Sequence, residues 1–160
     1  MRKAAALAAL LLATALPAQA NILTQKQLET MIRAQPDLSM HLDSGRQYVS
    51  IKGDGAAPGY LDAAAIDYGY QVDRTDVLIV PLISGGSGGI FTTMIFTTYK
   101  GIQHYVGRID SQGYLDVHLS AGLITAVTPV FGPHDAQARP SGHRTEHYAI
   151  HDGRLIHLKE

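Results

Sequence analysis

Asp76-Val77-Leu78-Ile79-Val80-Pro81-Leu82-Ile83 is the stretch on which the fold turns. It is apolar at odd and even positions alike, which suits a strand buried on both faces at the centre of a sheet. Pro81 must then sit where the ladder needs no N–H donor. After the glycine-rich Ser84 to Gly89 comes Ile90 to Tyr99, dense in Thr, Phe and Ile, and Lys100-Gly101 turns the chain into Ile102 to Ile109. Those last two runs predict a hairpin of high β-propensity.

Downstream, Asp110-Ser111-Gln112-Gly113 makes a second turn, and Leu115, Val117 and Leu119 alternate with Tyr114, Asp116 and His118 in a strand with one core face. Leu123 to Phe131 is another strand run, interrupted by Pro129, and Gly132 to Gly142 reads as a polar loop. Glu146 to His151, Asp152-Gly153 and Arg154 to Leu158 form a closing hairpin around the strongest turn dipeptide in the chain. Upstream, Tyr48-Val49-Ser50-Ile51 is a short strand, Lys52 to Gly59 is turn-rich, and Tyr60 to Asp67 is strand or irregular. Tyr68-Gly69-Tyr70-Gln71-Val72 reads as a polar turn.

One helix is legible. Thr24 caps it, Gln27 completes a Thr-x-x-Gln capping box, and Leu28, Met31 and Ile32 follow at helical spacing before Pro36. Its apolar side, with Leu23 alongside, is expected to cover a sheet. The expected class is therefore α+β, one N-terminal helix packed on a mainly antiparallel β-sheet.

The first twenty residues carry an address. Arg2 and Lys3, the apolar run Ala4 to Leu16, and Pro17-Ala18-Gln19-Ala20 have the order of a secretory signal peptide cut after Ala20. Residues 21–160 are then expected to form a single globular domain, periplasmic or secreted. The apolar run is shorter than the roughly 20 residues that span a bilayer, so no membrane anchor is expected. The chain has no Cys, which closes the lipid-anchor route and any disulfide. Without Arg2 and Lys3, 11 basic residues face 14 acidic ones, a net charge of −3 with neutral His. That balance offers no footprint for nucleic acid.

Several motifs match on spelling and fail on context. Gly85-Gly86-Ser87-Gly88-Gly89 has the Gly-x-Ser-x-Gly form of a nucleophile elbow, but an elbow opens into a helix and Ile90 to Phe96 is β-branched and aromatic. The same glycines lack the Lys-Ser or Lys-Thr of a phosphate loop. His143-Arg144-Thr145-Glu146-His147 spells the inverted zincin motif, which requires a helix. On a strand Glu146 points away from both His, and their Cα atoms stand about 13 Å apart. His134, Asp135, His143, His147, His151 and His157 crowd the C-terminal region, where imidazole and carboxylate would suit zinc, copper or nickel only if folding gathered them. Asp67, Asp73 and Asp76 do not fill the alternate ligand positions of a calcium loop. The tyrosines, among them Tyr48, Tyr60, Tyr68, Tyr70, Tyr99, Tyr105, Tyr114 and Tyr148, have the contact area and polar tip that suit a binding face.

Val80 to Gly89 followed by a hairpin, then Pro140-Ser141-Gly142, Tyr148 and Asp152-Gly153-Arg154-Leu155, resemble small exported bacterial proteins of uncharacterised function, over about Tyr60 to Leu158. Members of that group often carry paired Cys before the Pro-Ser and an acidic loop before the central strand. Here Ala138-Arg139 and Gly69 to Val72 stand instead. The resemblance implies an exported fold and transfers no catalytic role.

The reading that follows is a non-enzymatic binding or interaction module of the bacterial envelope, with no cofactor and with an envelope or extracellular protein or glycan as partner. It would act through its sheet face or glycine-rich loop. The competing readings are a serine-type hydrolase, with Ser87 as nucleophile and His143 or His147 as base, and a metal-binding protein using His134, Asp135, His143 and His147.

Overall fold

A strand apolar on both faces needs a cover on each, and the computed structural model supplies two different ones. It describes residues 23–53, 57–85, 89–136 and 139–159; the expected signal segment, residues 1–20, and Ser87 lie outside the described residues. The central strand is β5 (Asp76–Ser84), flanked by β6 (Ile90–Tyr99) and β7 (Ile102–Asp110). Leu78, Val80 and Leu82 of β5, with Met94 and Phe96 of β6, face helix α1 (Gln25–Arg33) and bury its Leu28, Met31 and Ile32. Val77, Ile79 and Ile95 point the other way, into a second core with Ile109, Leu115, Ile124, Ala126 and Ile150.

That second core belongs to a second sheet, and it overturns the expected class. Strands account for 58% of the structure and helix for 9%, so the fold is nearer all-β than α+β. The helix is one thin cover on a sheet-on-sheet body.

Among the described residues the larger sheet runs β1 (Leu38–Asp43), β2 (Arg46–Ile51), β3 (Gly59–Leu61), β5, β6 and β7, with β4 (Asp67–Tyr70) also on β5. The smaller sheet runs β11 (Arg154–Leu158), β10 (Gly142–His151), β9 (Leu123–Val130) and β8 (Asp116–Ser120). All pairings are antiparallel. β3 pairs with Leu82 to Ser84 and β4 with Asp76 to Ile79, leaving Val80 and Pro81 without a partner on that side. The proline thus sits at a gap in the ladder, where the chain leaves β3 for a single 3-10 turn at Ala63–Ala65.

Four hairpins close through two-residue turns, at Ser44-Gly45, Lys100-Gly101, Ala121-Gly122 and Asp152-Gly153, each with both residues at positive φ. This is the turn whose twist matches that of the flanking strands. The turn expected at Tyr68 to Val72 is instead strand β4 as far as Tyr70.

Two buried glutamines tie the layers together. Gln35, just past the helix, donates from Nε2 to the carbonyls of Met31 (3.1 Å) and Gln103 (3.0 Å) and accepts at Oε1 from the Tyr105 N–H (2.9 Å). It satisfies two backbone groups on the outer edge of β7, which no strand among the described residues covers. Gln71, at the end of β4, accepts at Oε1 from the Ile150 N–H (2.6 Å) and donates to the Ile150 carbonyl (3.2 Å). Since β9 starts at Leu123 and its last pairing with β10 is Ile124 with Tyr148, this carboxamide continues the ladder where β9 ends. Close approach on the other flank comes from Gly107, at φ 149° on a bulge of β7, where a Cβ would stand 3.1 Å from Cβ of Leu155.

Tyr105 gives the fold an alkaline limit. Its ring packs on Phe96 at 5.6 Å, and burial, followed by the charges of Asp110 and Asp37, pushes its hydroxyl from 10.0 up to about 12. A raised folded-state value favours the neutral phenol, so its contribution is complete below pH 10.0 and is lost as pH rises towards about 12. Urea midpoints are expected to fall across that window, with a shallower fall in Tyr105→Phe than in the parent.

Candidate functional site

The two sheets are unequal in width, and among the described residues the smaller one leaves a face of the larger uncovered. The core between them draws on β5 to β11 but on no residue of β1, β2 or β3. The face of β1–β3 opposite the helix is therefore not covered by the second sheet. Period-two alternation places Ser39, His41 and Asp43 of β1, Arg46, Tyr48 and Ser50 of β2, and Tyr60 of β3 on it.

The pairing register lines three rings across the strands, His41 opposite Tyr48 and Tyr48 opposite Tyr60. His41 stacks on Tyr48 with centroids 5.6 Å apart and planes at 19°. Tyr48 meets Tyr60 edge-on at 6.0 Å and 70°. The Arg46 guanidinium lies 4.5 Å above the Tyr60 ring. Asp43 is the cross-strand neighbour of Arg46, yet Arg46 turns away from β1 to lie over β3. Among the described residues no carboxylate forms an ion pair with it. Asp43 accepts from the Ser44 hydroxyl at 3.2 Å. The start of the glycine-rich segment borders this row, since a Cβ on Gly85 would stand 3.0 Å from the Tyr48 hydroxyl.

Chemically the row offers an imidazole, two phenol hydroxyls and one exposed cation stacked on a ring. Tyr48 and Tyr60 are half-buried, so their rings are held by the sheet rather than waving in solvent.

A second concavity, of about 750 Å³, lies where the β4–β5 loop, the β6–β7 hairpin and the β10–β11 turn converge. Three of its polar side chains are engaged locally. Asp76 Oδ1 accepts from the Thr98 N–H (2.9 Å), Asp73 Oδ1 from the Thr75 N–H (2.9 Å), and His151 Nδ1 lies 3.1 Å from Asp152 Oδ2. Hydrogen bonding to Thr75 holds the Asp73 carboxyl below the ordinary carboxylate range. These contacts shape turns.

The residues singled out from the sequence are dispersed. Ser87 lies outside the described residues. His143 and His147 both lie on β10, with Glu146 on its opposite face as expected for a strand. His147 Nδ1 is 3.2 Å from the Thr125 hydroxyl, and His143 pairs across from Pro129. Glu146 points into the body instead, 3.3 Å from Arg144 and 3.6 Å from His157, whose ring stacks on Tyr148 at 4.8 Å. His134 is exposed on the loop after β9. Asp135 staples that loop: its Oδ2 accepts from the N–H groups of Gly132 (2.6 Å) and Ser141 (2.8 Å), and these bonds hold its carboxyl below the ordinary range. Among the described residues no three His, Asp or Glu side chains gather into a metal-binding group.

In the sequence Tyr48 and Tyr60 stand out only as two of eight tyrosines, and no motif there marks His41 or Arg46. The alternation Ser39-His41-Asp43 and Arg46-Tyr48-Ser50 about Ser44-Gly45 was the available signal.

Comparison with known proteins decides nothing about identity. No protein-family model, curated protein or solved structure matches this chain. The functional reading therefore rests on the site alone.

Proposed function

We propose that this chain is an exported, non-enzymatic binding module of the bacterial envelope, released after Ala20, that engages an envelope component through the open face of β1–β3. The observation that carries the reading is the row His41, Tyr48 and Tyr60 with Arg46 stacked at its end. Rigid amphipathic rings bring large contact area at small entropic cost, which suits recognition. The non-enzymatic part is supported by the segment after Gly89, which enters strand β6 where a nucleophile elbow needs a helix. Among the described residues no helix is long and apolar enough to cross a membrane.

The test is capture from envelope extract by immobilised residues 21–160, run beside the Tyr48→Ala/Tyr60→Ala double variant. At least one component is expected to be retained by the parent and reduced about tenfold or more in the variant, a loss of about 1.4 kcal/mol. Equal retention by both would place the binding surface elsewhere and defeat the reading.

A further inference from the structure

We infer that the outer edge of β1 is a self-association surface, and that its partner is a second copy of this chain, whose own β1 adds antiparallel about a two-fold axis. Each sheet ends in two outer strands, and three of these four have a neighbour beside them. Gln35 bonds the edge of β7, Asp67 Oδ2 accepts from the Leu119 N–H of β8 (3.3 Å), and β11 stands against β7, where a Cβ on Gly107 would lie 3.1 Å from that of Leu155. The edge of β1 differs. Asp43 and Arg46 flank a two-residue turn and so form a hydrogen-bonded pair, and bonded pairs alternate back along the strand. Leu38, Met40 and Leu42 therefore direct their backbone N–H and C=O groups away from β2. The Leu38 N–H is engaged, donating to the Gln35 carbonyl (3.3 Å). Met40 and Leu42 have no backbone partner on that side among the described residues. The strand carries no Lys, Pro or bulge to blunt its edge, and Leu42 is 66% exposed.

The free groups of this edge complement themselves in one register. With His41 on the axis, Met40 faces the partner's Leu42 and Leu42 faces the partner's Met40, and each such pair exchanges both of its N–H···O bonds. Every free group on the edge is then satisfied. The side chains agree with that register. Met40 and Leu42 meet across the join on the helix side, which covers the exposed Leu42, and on the other face the Ser39 hydroxyl stands opposite the carboxylate of the partner's Asp43. Moving the axis to Met40 would call on Leu38, whose N–H already donates to Gln35, and moving it to Leu42 would call on Ser44, which is held in the turn at φ 49°. An unrelated extended peptide would find the same backbone groups but not these side-chain matches, which is what selects the second copy. The axis also sets His41 beside the partner's His41, so that the two rows of rings become one; the inference itself is independent of what that row binds.

The experiment is sedimentation of residues 21–160 from about 10 μM to about 1 mM, the range that suits an interface below standard size, with amide hydrogen exchange measured at both ends. A monomer–dimer equilibrium is expected, with the Met40 and Leu42 amides exchanging at least about threefold more slowly at the higher concentration. Leu42→Pro removes one outward donor and leaves the bonds between β1 and β2 intact, so it is expected to fold and to weaken the dimer at least about tenfold. A monomer at every concentration overturns the inference. So does a dimer that Leu42→Pro leaves undiminished, or one in which the Met40 and Leu42 amides exchange at the same rate at both concentrations. Should Leu42→Pro fail to fold, the exchange comparison on the parent decides alone. Loss of envelope capture with the dimer intact would defeat the binding reading and leave this inference standing.

Discussion

Phe96→Ala is expected to lower the unfolding free energy by about 3–5 kcal/mol, the range for truncating a buried aromatic. Phe96 is fully buried at the centre of β6, beneath α1 and against the Tyr105 ring. Its removal leaves a cavity that a sheet held on both sides cannot collapse around. The neighbouring residue sharpens the test, because Ile95 is as fully buried but faces the second sheet. Ile95→Ala is expected to cost about 2–5 kcal/mol. Urea midpoints at constant slope measure both. A cost below about 1 kcal/mol for Ile95→Ala, beside a large one for Phe96→Ala, would show that the smaller sheet does not cover the larger.

Gln71→Leu is expected to cost about 2–4 kcal/mol even though it adds apolar surface. The buried Gln71 carboxamide is the partner of both the Ile150 N–H and the Ile150 carbonyl, and leucine leaves both unpaired in the interior. Each orphaned backbone group costs about 1–3 kcal/mol. The loss should be visible locally as well as globally. The Ile150 amide is expected to exchange with solvent far faster in the variant, while amides at the centre of β6 slow or quicken only with the global stability. An unchanged Ile150 rate would mean that the carboxamide is not its partner.

These two residues also show what the chain discloses before it folds. The capping box of Thr24 and Gln27, the apolar face of α1 and the turns at Lys100-Gly101 and Asp152-Gly153 depend on neighbours in sequence, and they are legible there. β5 is apolar on both faces, and the expected class provided a cover for one of them; the second cover comes from β8–β11, strands distant in sequence. β4 hides behind Gly69, which weakens strand propensity, and its position makes sense only against Leu119 of the smaller sheet, 2.7 Å from where a Cβ would stand. Ala121-Gly122 is a hairpin turn in which an alanine is held at φ 50°, a conformation imposed by the strands on either side. The site follows the same division. Eight tyrosines are visible in the sequence, but which of them face solvent in a row depends on a four-stranded sheet being too narrow to cover a seven-stranded one.

The most direct measurement of the binding account is an NMR titration of tyrosine-ring-labelled residues 21–160 with the envelope fraction retained in the capture experiment. Resonances of Tyr48 and Tyr60 are expected to shift or broaden, while those of Tyr68 and Tyr70 on β4 and of Tyr99 and Tyr105 at the converging loops stay unchanged. Shifts confined to Tyr99 and Tyr105, with Tyr48 and Tyr60 unmoved, would contradict the account and assign recognition to the cleft at the other end.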